Sequence, residues 1–323
     1  MKQLVFVFLF ILFYGSVQSQ NYDKVDARVS LYPKKYATTD QLARQIQQDF
    51  TSDFNRVRAI YTWLATNVSY DLKTLYNGET QINFSYSSQE DLSRKLTAIN
   101  THTANQTLLT NKAICEGYAQ AFKKVSEQLG IPCMLVGGFS KSDVRDIGSN
   151  PSQEDHAWNA VKIQNKWYLV DATWGAGYTN GDTWVQRFDD FFFLTDPNKF
   201  AITHYPSEKE WQLIKRTMTK KQFYAAPIYA KSFFKNNLKL ISPLQGELFV
   251  KSDSDIIIEI GVIPKNTTLY YVFKGDKFSV ELAPNCTDEK CILNIPFVKN
   301  RNSELLIFID KQIALQYKIT LQN

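Results

Sequence analysis

The chain has 323 residues, of which 44% are hydrophobic and 21% charged, and its formal net charge is +5. This length allows one to three domains. The 22 Phe, 17 Tyr and 6 Trp residues exclude a disordered chain, and four Cys are too few for a disulfide framework. The basic residues form no run of five or more, so no nucleic-acid-binding patch is indicated.

The N-terminus has the pattern of an export signal. Lys2 precedes an unbroken apolar stretch at residues 4–14, and a cleavage position follows before Gln20. The apolar stretch is shorter than the roughly 20 residues that span a bilayer. The sequence therefore predicts a signal peptide at residues 1–19. The mature protein is expected to be secreted, periplasmic or cell-surface associated, without stable membrane insertion.

Helices are predicted up to Gly130. Apolar residues three and four apart, such as Val57, Ile60 and Leu64, give each segment one apolar face. The predicted elements are a helix at 40–50 capped by Asp40, a helix from about Asp53, short helices and loops over 71–110, and a helix from Ile114 to Leu129.

Strands are predicted after Gly130, where the apolar period changes from helix to sheet. The first group comprises 134–139, 156–163, 167–174 and 191–194, with a tight turn at Gln164-Asn165 between the second and third strands. The later group comprises 238–241, 248–251, 256–262, 268–273, 278–282, 291–298, 305–309 and 313–320. Their spacing of roughly ten residues fits a small β-sandwich, with a domain boundary near 225.

Cys115 lies in the first turn of the predicted helix from Ile114. A thiol at a helix N-terminus is near the positive end of the helix dipole, which favours its ionised form. Gly117, two positions later, permits close approach of another chain or a substrate. The alternative is that Cys115 is a small buried hydrophobic residue.

His156 and Asp171 are predicted to be neighbours on one face of the sheet. With Gln164-Asn165 as a two-residue turn, Asp171 opposes Trp158 and lies diagonally across from His156. An odd-numbered loop without a bulge would instead place them on opposite faces. A carboxylate in an apolar strand is costly unless it is paired, although a turn or cap role for Asp171 is the alternative. Cys115, His156 and Asp171 thus form a candidate nucleophile, base and orienting group.

Several stretches, taken together, carry a family resemblance. They are 58–71, Ile114-Cys115-Glu116-Gly117-Tyr118-Ala119, 129–132 with 136–138, His156-Ala157-Trp158-Asn159-Ala160-Val161, 167–174 and 192–211. They resemble the transglutaminase-like superfamily, which has a papain-like cysteine fold, and within it the kyphoscoliosis-peptidase-like branch. The match covers about residues 53–215.

The resemblance implies an α+β fold. A papain-like or transglutaminase-like core at 20–224, with N-terminal helices and an antiparallel sheet, is expected to precede an immunoglobulin-like β-sandwich at 225–323. It implies Cys115 as nucleophile, His156 as base and Asp171 as orienting group. The expected activity is on protein or peptide amides through a thioester, by hydrolysis or acyl transfer. The alternative is a non-catalytic adhesion or scaffold protein.

The remaining polar residues leave several questions open. The oxyanion is expected to bind the Cys115 backbone N–H and a second donor, for which Gln106, Asn111 and Tyr70 are candidates. His204 is expected to be structural, with a substrate-groove role as the alternative.

The other cysteines suggest structural roles. Cys133 is expected to be a buried strand thiol, and its pairing with Cys115 would abolish nucleophilic activity. Cys286 and Cys291 suggest a loop-closing disulfide rather than a zinc half-site, because a second ligand pair is missing. The sequence contains no P-loop, dinucleotide fingerprint or EF-hand-like loop, so no cofactor, metal, nucleotide or nucleic acid is expected.

Overall fold

The structure is a computed structural model that describes residues 21–78 and 84–322. The described helices are α1 Asp23–Val29, α2 Thr39–Asp49, α3 Asp53–Asn67, α4 Leu72–Asn77, α5 Gln89–Thr110, α6 Cys115–Gln128, α7 Ala172–Ala176, α8 Pro197–Phe200, α9 Lys220–Ala225 and α10 Lys231–Lys235. Within these residues, no helix has both the length and the apolar character needed to cross a bilayer. The predicted signal peptide at 1–19 lies outside the described residues.

The strands fall into an early and a late group. The early strands are β1 Ser69–Tyr70, β2 Lys112–Ala113, β3 Cys133–Ser140, β4 His156–Ile163, β5 Lys166–Val170, β6 Gly177–Asn180, β7 Thr183–Gln186, β8 His204–Pro206 and β9 Ile228–Tyr229. The late strands are β10 Leu240–Ser242, β11 Glu247–Val250, β12 Ser254–Gly261, β13 Leu269–Phe273, β14 Val280–Leu282, β15 Asn285–Cys286, β16 Lys290–Phe297, β17 Ser303–Ile309 and β18 Gln312–Leu321.

A four-stranded antiparallel sheet of order β5-β4-β3-β8 forms the centre of the N-terminal region. Helices α3 and α6 supply many of the side chains in the hydrophobic core beside it, including fully buried Trp63 and Phe122. The turn between β4 and β5 has two residues, because Ile163 pairs with Lys166. This is the register that the sequence predicts, and it puts the ends of β4 and β5 close together.

Gly117 is explained by helix packing rather than by substrate approach. A Cβ at position 117 would lie 2.7 Å from both the Ala113 Cβ and the Thr107 Oγ1. Since real Cβ contacts are longer, the glycine lets the start of α6 pack directly against α5. The position of Cys115 at the start of α6 therefore depends on this close contact.

The C-terminal region has two sheets that share one hydrophobic core. Their orders are β10-β12-β16-β15 and β11-β18-β17-β13-β14, and buried residues such as Leu293 and Ile307 join both in a single cluster. Strand β9 adds to the second sheet by pairing with β18, through Leu315 with Tyr229 and Gln316 with Ile228. The mixed helical and antiparallel core and the strand-rich C-terminal region agree with the α+β fold that the sequence predicts.

One buried lysine ties the core sheet to the segment before β9. Lys141, which follows β3, donates from Nζ to the carbonyl oxygens of Phe223, Ala226 and Pro227, at 2.6, 3.0 and 3.3 Å. The side chain is only 2% exposed, and burial lowers the pKa of Lys141 to about 7. The three carbonyls replace the water that this amine loses.

Some predicted elements are wrong in type or length. Thr38, not Asp40, caps α2, since its side chain accepts from the Gln41 N–H. Residues 71–110 contain the 22-residue helix α5, whose polar surface hides its helical period. The predicted strand at 191–194 is instead mostly a 3-10 turn at Asp190–Phe192. The predicted strand at 167–174 is too long. Strand β5 ends at Val170, Asp171 is the N-cap of α7, and α7 begins at Ala172.

The four cysteines separate into a bonded and a free pair. Cys286 and Cys291 form a disulfide across β15 and β16, as predicted. Cys115 and Cys133 are both free thiols. Burial raises the pKa of Cys133 to about 12, in keeping with its predicted role as a buried strand residue.

Gly117→Ala is expected to lower the free energy of unfolding. Alanine normally stabilises a helix relative to glycine by about 1 kcal/mol, but overpacking a core costs about 1–3 kcal/mol. Urea denaturation of both proteins measures the difference. Gly261→Ala, at the end of strand β12, is a control for adding a Cβ without overpacking, because that Cβ would lie 3.4 Å from the Lys239 Cβ, an ordinary contact. A Gly117→Ala protein more stable than the parent would contradict the packing argument.

Candidate active site

Cys115 is the first residue of α6 and is partly exposed. The N-cap residue Ile114 makes no side-chain capping hydrogen bond, so the first N–H groups of the helix lack a cap of that kind. Strand β1 pairs in parallel with β2, with Tyr70 opposite Ala113, two residues before Cys115. This pairing brings Tyr70 beside the start of the helix.

Tyr70 interacts with both the backbone and the thiol of Cys115. Burial, followed by the neighbouring Cys115 thiol, raises the pKa of Tyr70, and the Cys115 backbone N–H is a hydrogen-bond partner of the phenol oxygen. The other two candidate oxyanion donors are less suited. Gln106 is exposed on α5, and the Asn111 amide nitrogen donates instead to the Lys34 carbonyl at 2.9 Å.

His156 begins β4 and lies between Cys115 and Asp171. Its Nε2 is 2.8 Å from Asp171 Oδ2, which leaves Nδ1 for the Cys115 thiol, a second hydrogen-bond partner of the ring. Burial lowers the pKa of His156, but the Asp171 carboxylate and the Cys115 thiol outweigh burial and raise it to about 10. The structure therefore brings together the three residues predicted as nucleophile, base and orienting group.

Asp171 is both the partner of His156 and the N-cap of α7. Its Oδ1 accepts from the backbone N–H groups of Thr173 and Trp174, at 2.8 and 3.0 Å. Burial raises the pKa of Asp171, but the neighbouring imidazoles outweigh it and hold the pKa well below its usual range. From the sequence, we expected Asp171 either to pair within a strand or to cap a turn or helix. In the structure, Asp171 does both, because it pairs with His156 and caps α7.

His204 is a second imidazole on the same carboxylate, which the sequence did not predict. Its Nε2 lies 3.0 Å from Asp171 Oδ2, and its Nδ1 lies 2.8 Å from Thr203 Oγ1. His204 is on β8, 33 residues from Asp171 in the chain, and it reaches the site because β8 pairs with β3.

Aromatic rings surround the two imidazoles. Trp174 lies 5.7 Å from His156 and 4.6 Å from His204, between ring centroids. Trp158 lies 5.8 Å from His156, and Phe200 stacks on His204 at 4.0 Å. These rings exclude water and strengthen the hydrogen bonds to Asp171, because electrostatic interactions are stronger at low dielectric.

Among the described residues, the cluster of His156, Asp171 and His204 is the candidate metal-binding site. The nearest ligand atoms of His156, Asp171 and His204 all lie within 4.8 Å of one another. The four hydrogen bonds to Asp171 account for this closeness, because they occupy the acceptor sites of both carboxylate oxygens. A metal ion would have to replace hydrogen bonds that already satisfy the buried groups.

A cleft of about 830 Å³ opens beside these residues. Tyr70, His156 and Trp174 line one end of it, and Ile313 and Gln316 of β18 line another part. The cleft therefore lies between the N-terminal core and the C-terminal strands.

A sequence model described as the transglutaminase-like superfamily matches residues 40–172. Human kyphoscoliosis peptidase is 34% identical over 226 residues, which are 68% of this chain and 31% of that protein. The chain belongs to the transglutaminase-like superfamily. Its similarity to kyphoscoliosis peptidase places it in that branch of the family.

Two further relatives extend the comparison. Lim and transglutaminase domain protein ltd-1 of Caenorhabditis elegans is 29% identical, over 76% of this chain and 33% of its own length. Cytokinesis protein 3 of Schizosaccharomyces pombe is 21% identical, over 77% of this chain and 27% of its own length. The chain thus spans about a third of the length of the curated relatives it matches.

The prediction of an exported protein is wrong in light of these transglutaminase-like relatives. Cytokinesis is an intracellular process, and one of the relatives is named for it. The prediction rested on the apolar residues 4–14. The length and hydrophobicity of a short apolar run do not by themselves identify an export signal. That run lies outside the described residues.

Asp171→Ala is expected to destabilise this transglutaminase-like core by about 3–5 kcal/mol, because removing one partner leaves buried polar groups unpaired. The change would free two backbone N–H groups and two imidazoles. Chemical denaturation measures the loss. Asp196→Ala is the control, since Asp196 caps α8 through two backbone N–H groups but holds no histidine. We expect about 1 kcal/mol there. Equal losses in the two variants would contradict the argument.

Proposed function

We propose that the chain is a cysteine-dependent enzyme that acts on protein or peptide amides through a thioester. The observation that carries this proposal is the continuous hydrogen-bonded series from the Cys115 thiol through His156 to Asp171. A nucleophile, a base within reach and a buried group that orients the base are the parts such chemistry needs.

The reaction starts from the pair in which His156 already holds the Cys115 proton. The thiolate attacks the amide carbonyl, the C–N bond breaks, and the imidazolium donates its proton to the leaving amine. Water or a second amine then attacks the thioester, with His156 accepting its proton, and the sulfur of Cys115 leaves as the thiolate, which restores the starting pair. Water gives hydrolysis, and an amine gives acyl transfer. The raised pKa of His156 favours the imidazolium that the first step requires.

The oxyanion is proposed to bind the Cys115 backbone N–H and the Tyr70 hydroxyl. These two groups are hydrogen-bonded to each other at the start of α6, and a substrate oxygen bound there would take the place of this hydrogen bond and accept from both. Donors fixed in place before the reaction stabilise developing charge without reorganisation.

The cleft supports a polypeptide substrate. A volume of about 830 Å³ is large for a single side chain. Its lining includes Trp184, Phe191 and Tyr229, which offer apolar surface, and Arg187 and Lys235, which offer positive charge. An extended segment with apolar and acidic side chains fits this lining.

A second candidate function is protein binding without catalysis. The relatives include proteins named for cytokinesis and for their domains rather than for an activity. In this case, the same cleft would hold a protein partner. Reactivity of Cys115 separates the two candidates.

Cys115 is expected to react with iodoacetamide rapidly at pH 6, and His156→Ala is expected to remove that reactivity. The raised pKa of His156 keeps the ring protonated through neutral pH, so a positive charge lies beside the reacting sulfur. In the variant, labelling should rise only toward pH 8–9, the range of an ordinary thiol with a pKa of about 8.5. Mass spectrometry of the labelled peptides measures both rates.

Cys133 serves as an internal control in the same samples, because burial keeps this free thiol unreactive in folded protein. Labelling of Cys133 would report unfolding. Identical pH profiles for Cys115 in the parent and in His156→Ala would reject the enzyme and favour the binding protein.

Turnover is expected on glutamine-containing peptides, with or without a primary amine, and Cys115→Ala is expected to abolish it. Tyr70→Phe should reduce kcat by about 10²-fold, the usual loss for one oxyanion donor, with a smaller change in KM. Mass spectrometry of the products separates peptide cleavage, deamidation and amine incorporation. Equal kcat for Tyr70→Phe and the parent would remove Tyr70 from the oxyanion site.

A further inference from the structure

His204 shares its hydrogen-bond acceptor with His156. Both Nε2 atoms approach the same oxygen, Asp171 Oδ2, at 3.0 and 2.8 Å, and the ring centroids are 5.3 Å apart. His204 is 1% exposed. A buried second imidazole at this position is an unusual cost unless its contacts serve the site.

The sheet register explains how the two histidines meet. Gly138 of β3 pairs with His156 on one side and with Pro206 on the other, while Ser140 pairs with His204. Positions two residues apart share a face, so both imidazoles rise from one face of the sheet. Gly138 leaves this face open, since an added Cβ would lie 2.8 Å from the Trp158 ring.

The hydrogen bonds assign the proton on His204. The ionised Asp171 carboxylate only accepts, so His204 must donate from Nε2. With the proton on Nε2, Nδ1 is left to accept from the Thr203 hydroxyl, which lies 2.8 Å away and is also 3.3 Å from the Phe200 carbonyl oxygen. Burial, and after it the nearby His156, lowers the pKa of His204 to about 4 in spite of Asp171. Besides these two titratable groups, the ring contacts aromatic side chains.

The two imidazoles therefore differ in charge. His156 favours the imidazolium, next to the Cys115 thiol, whereas His204 stays neutral in its aromatic surroundings. A neutral N–H donor can hydrogen-bond to the Asp171 carboxylate without neutralising its negative charge, which remains available to His156. Because Thr173 and Trp174 fix Oδ1 from the other side, the carboxylate is held at both oxygens.

We propose that His204 is a positioning residue of the catalytic group, a neutral Nε2–H donor that fixes Asp171 and keeps it ionised so that Asp171 can orient His156. This inference rests on the proposed function. The active unit thereby comprises Cys115, His156, Asp171 and His204, although only the first two transfer protons in the reaction.

The test compares His204→Phe with His204→Gln. Phenylalanine keeps a ring against Phe200 but cannot donate, whereas the glutamine amide nitrogen can occupy the position of Nε2 and donate to Asp171. Without the donor, the Asp171 carboxylate holds the His156 imidazolium less firmly, so the acid limb of Cys115 alkylation by iodoacetamide should move to higher pH by about one unit. At pH values below the midpoint of the parent's acid limb, labelling should fall about tenfold in His204→Phe, the effect of losing one hydrogen bond to a charged group.

At the same pH values, His204→Gln should retain labelling within about threefold of the parent. Circular dichroism checks that both variants are folded. Loss of labelling in both variants to the same extent would mean that His204 only packs, and an unchanged His204→Phe profile would overturn the proposal. A parent protein without fast labelling at pH 6 would instead reject the proposed function.

A measurement on the unmodified protein does not depend on variant folding. The chain has three histidines, at 102, 156 and 204, so their side-chain ¹⁵N resonances are simple to assign. His102→Gln identifies the exposed His102 on α5. We expect His204 to remain a neutral Nε2–H tautomer from pH 5.5 to 8. Titration of His204 near the ordinary histidine pKa of about 6.5 would overturn the proposal.

Discussion

A buried carboxylate that accepts four hydrogen bonds connects the parts of this site. Asp171 stands where β5 ends and α7 begins, and its two oxygens face different parts of the fold. One oxygen holds the first backbone N–H groups of α7, and the other holds imidazoles from β4 and β8. The Asp171 carboxylate thus fixes the start of α7, orients the His156 imidazole and places a negative charge beside it.

The length of one turn was the sequence feature that best predicted the arrangement of the site. The two-residue turn at Gln164-Asn165 sets the pairing of β4 with β5, and arithmetic alone then brings Asp171 near His156. No comparable local signal points to His204, because its approach depends on pairing between β8 and β3. The helical α7 was missed because Thr173 and Trp174 favour strands, whereas in the structure Asp171 caps the backbone N–H groups of these two residues at the start of a helix.

The cleft depends on both regions of the chain. The end beside His156 comes from β1, β4 and α7, and the far wall comes from α10 and β18. Lys231 at the start of α10 forms an ion pair with Asp189 of the core, which fastens the two walls together. A homologous core joined to a different C-terminal region would therefore present a different cleft around the same reactive residues.

The lysine that donates to three carbonyls limits how this chain can change during evolution. Linkers between domains usually accept insertions and deletions, since few contacts fix their length. Here the segment 223–227 is held by Lys141 at three carbonyls, and Ile228 is already paired with Gln316. Adding or removing a residue would misalign one set of contacts or the other. Homologues with this lysine are therefore expected to conserve the length of this segment even where its side chains diverge.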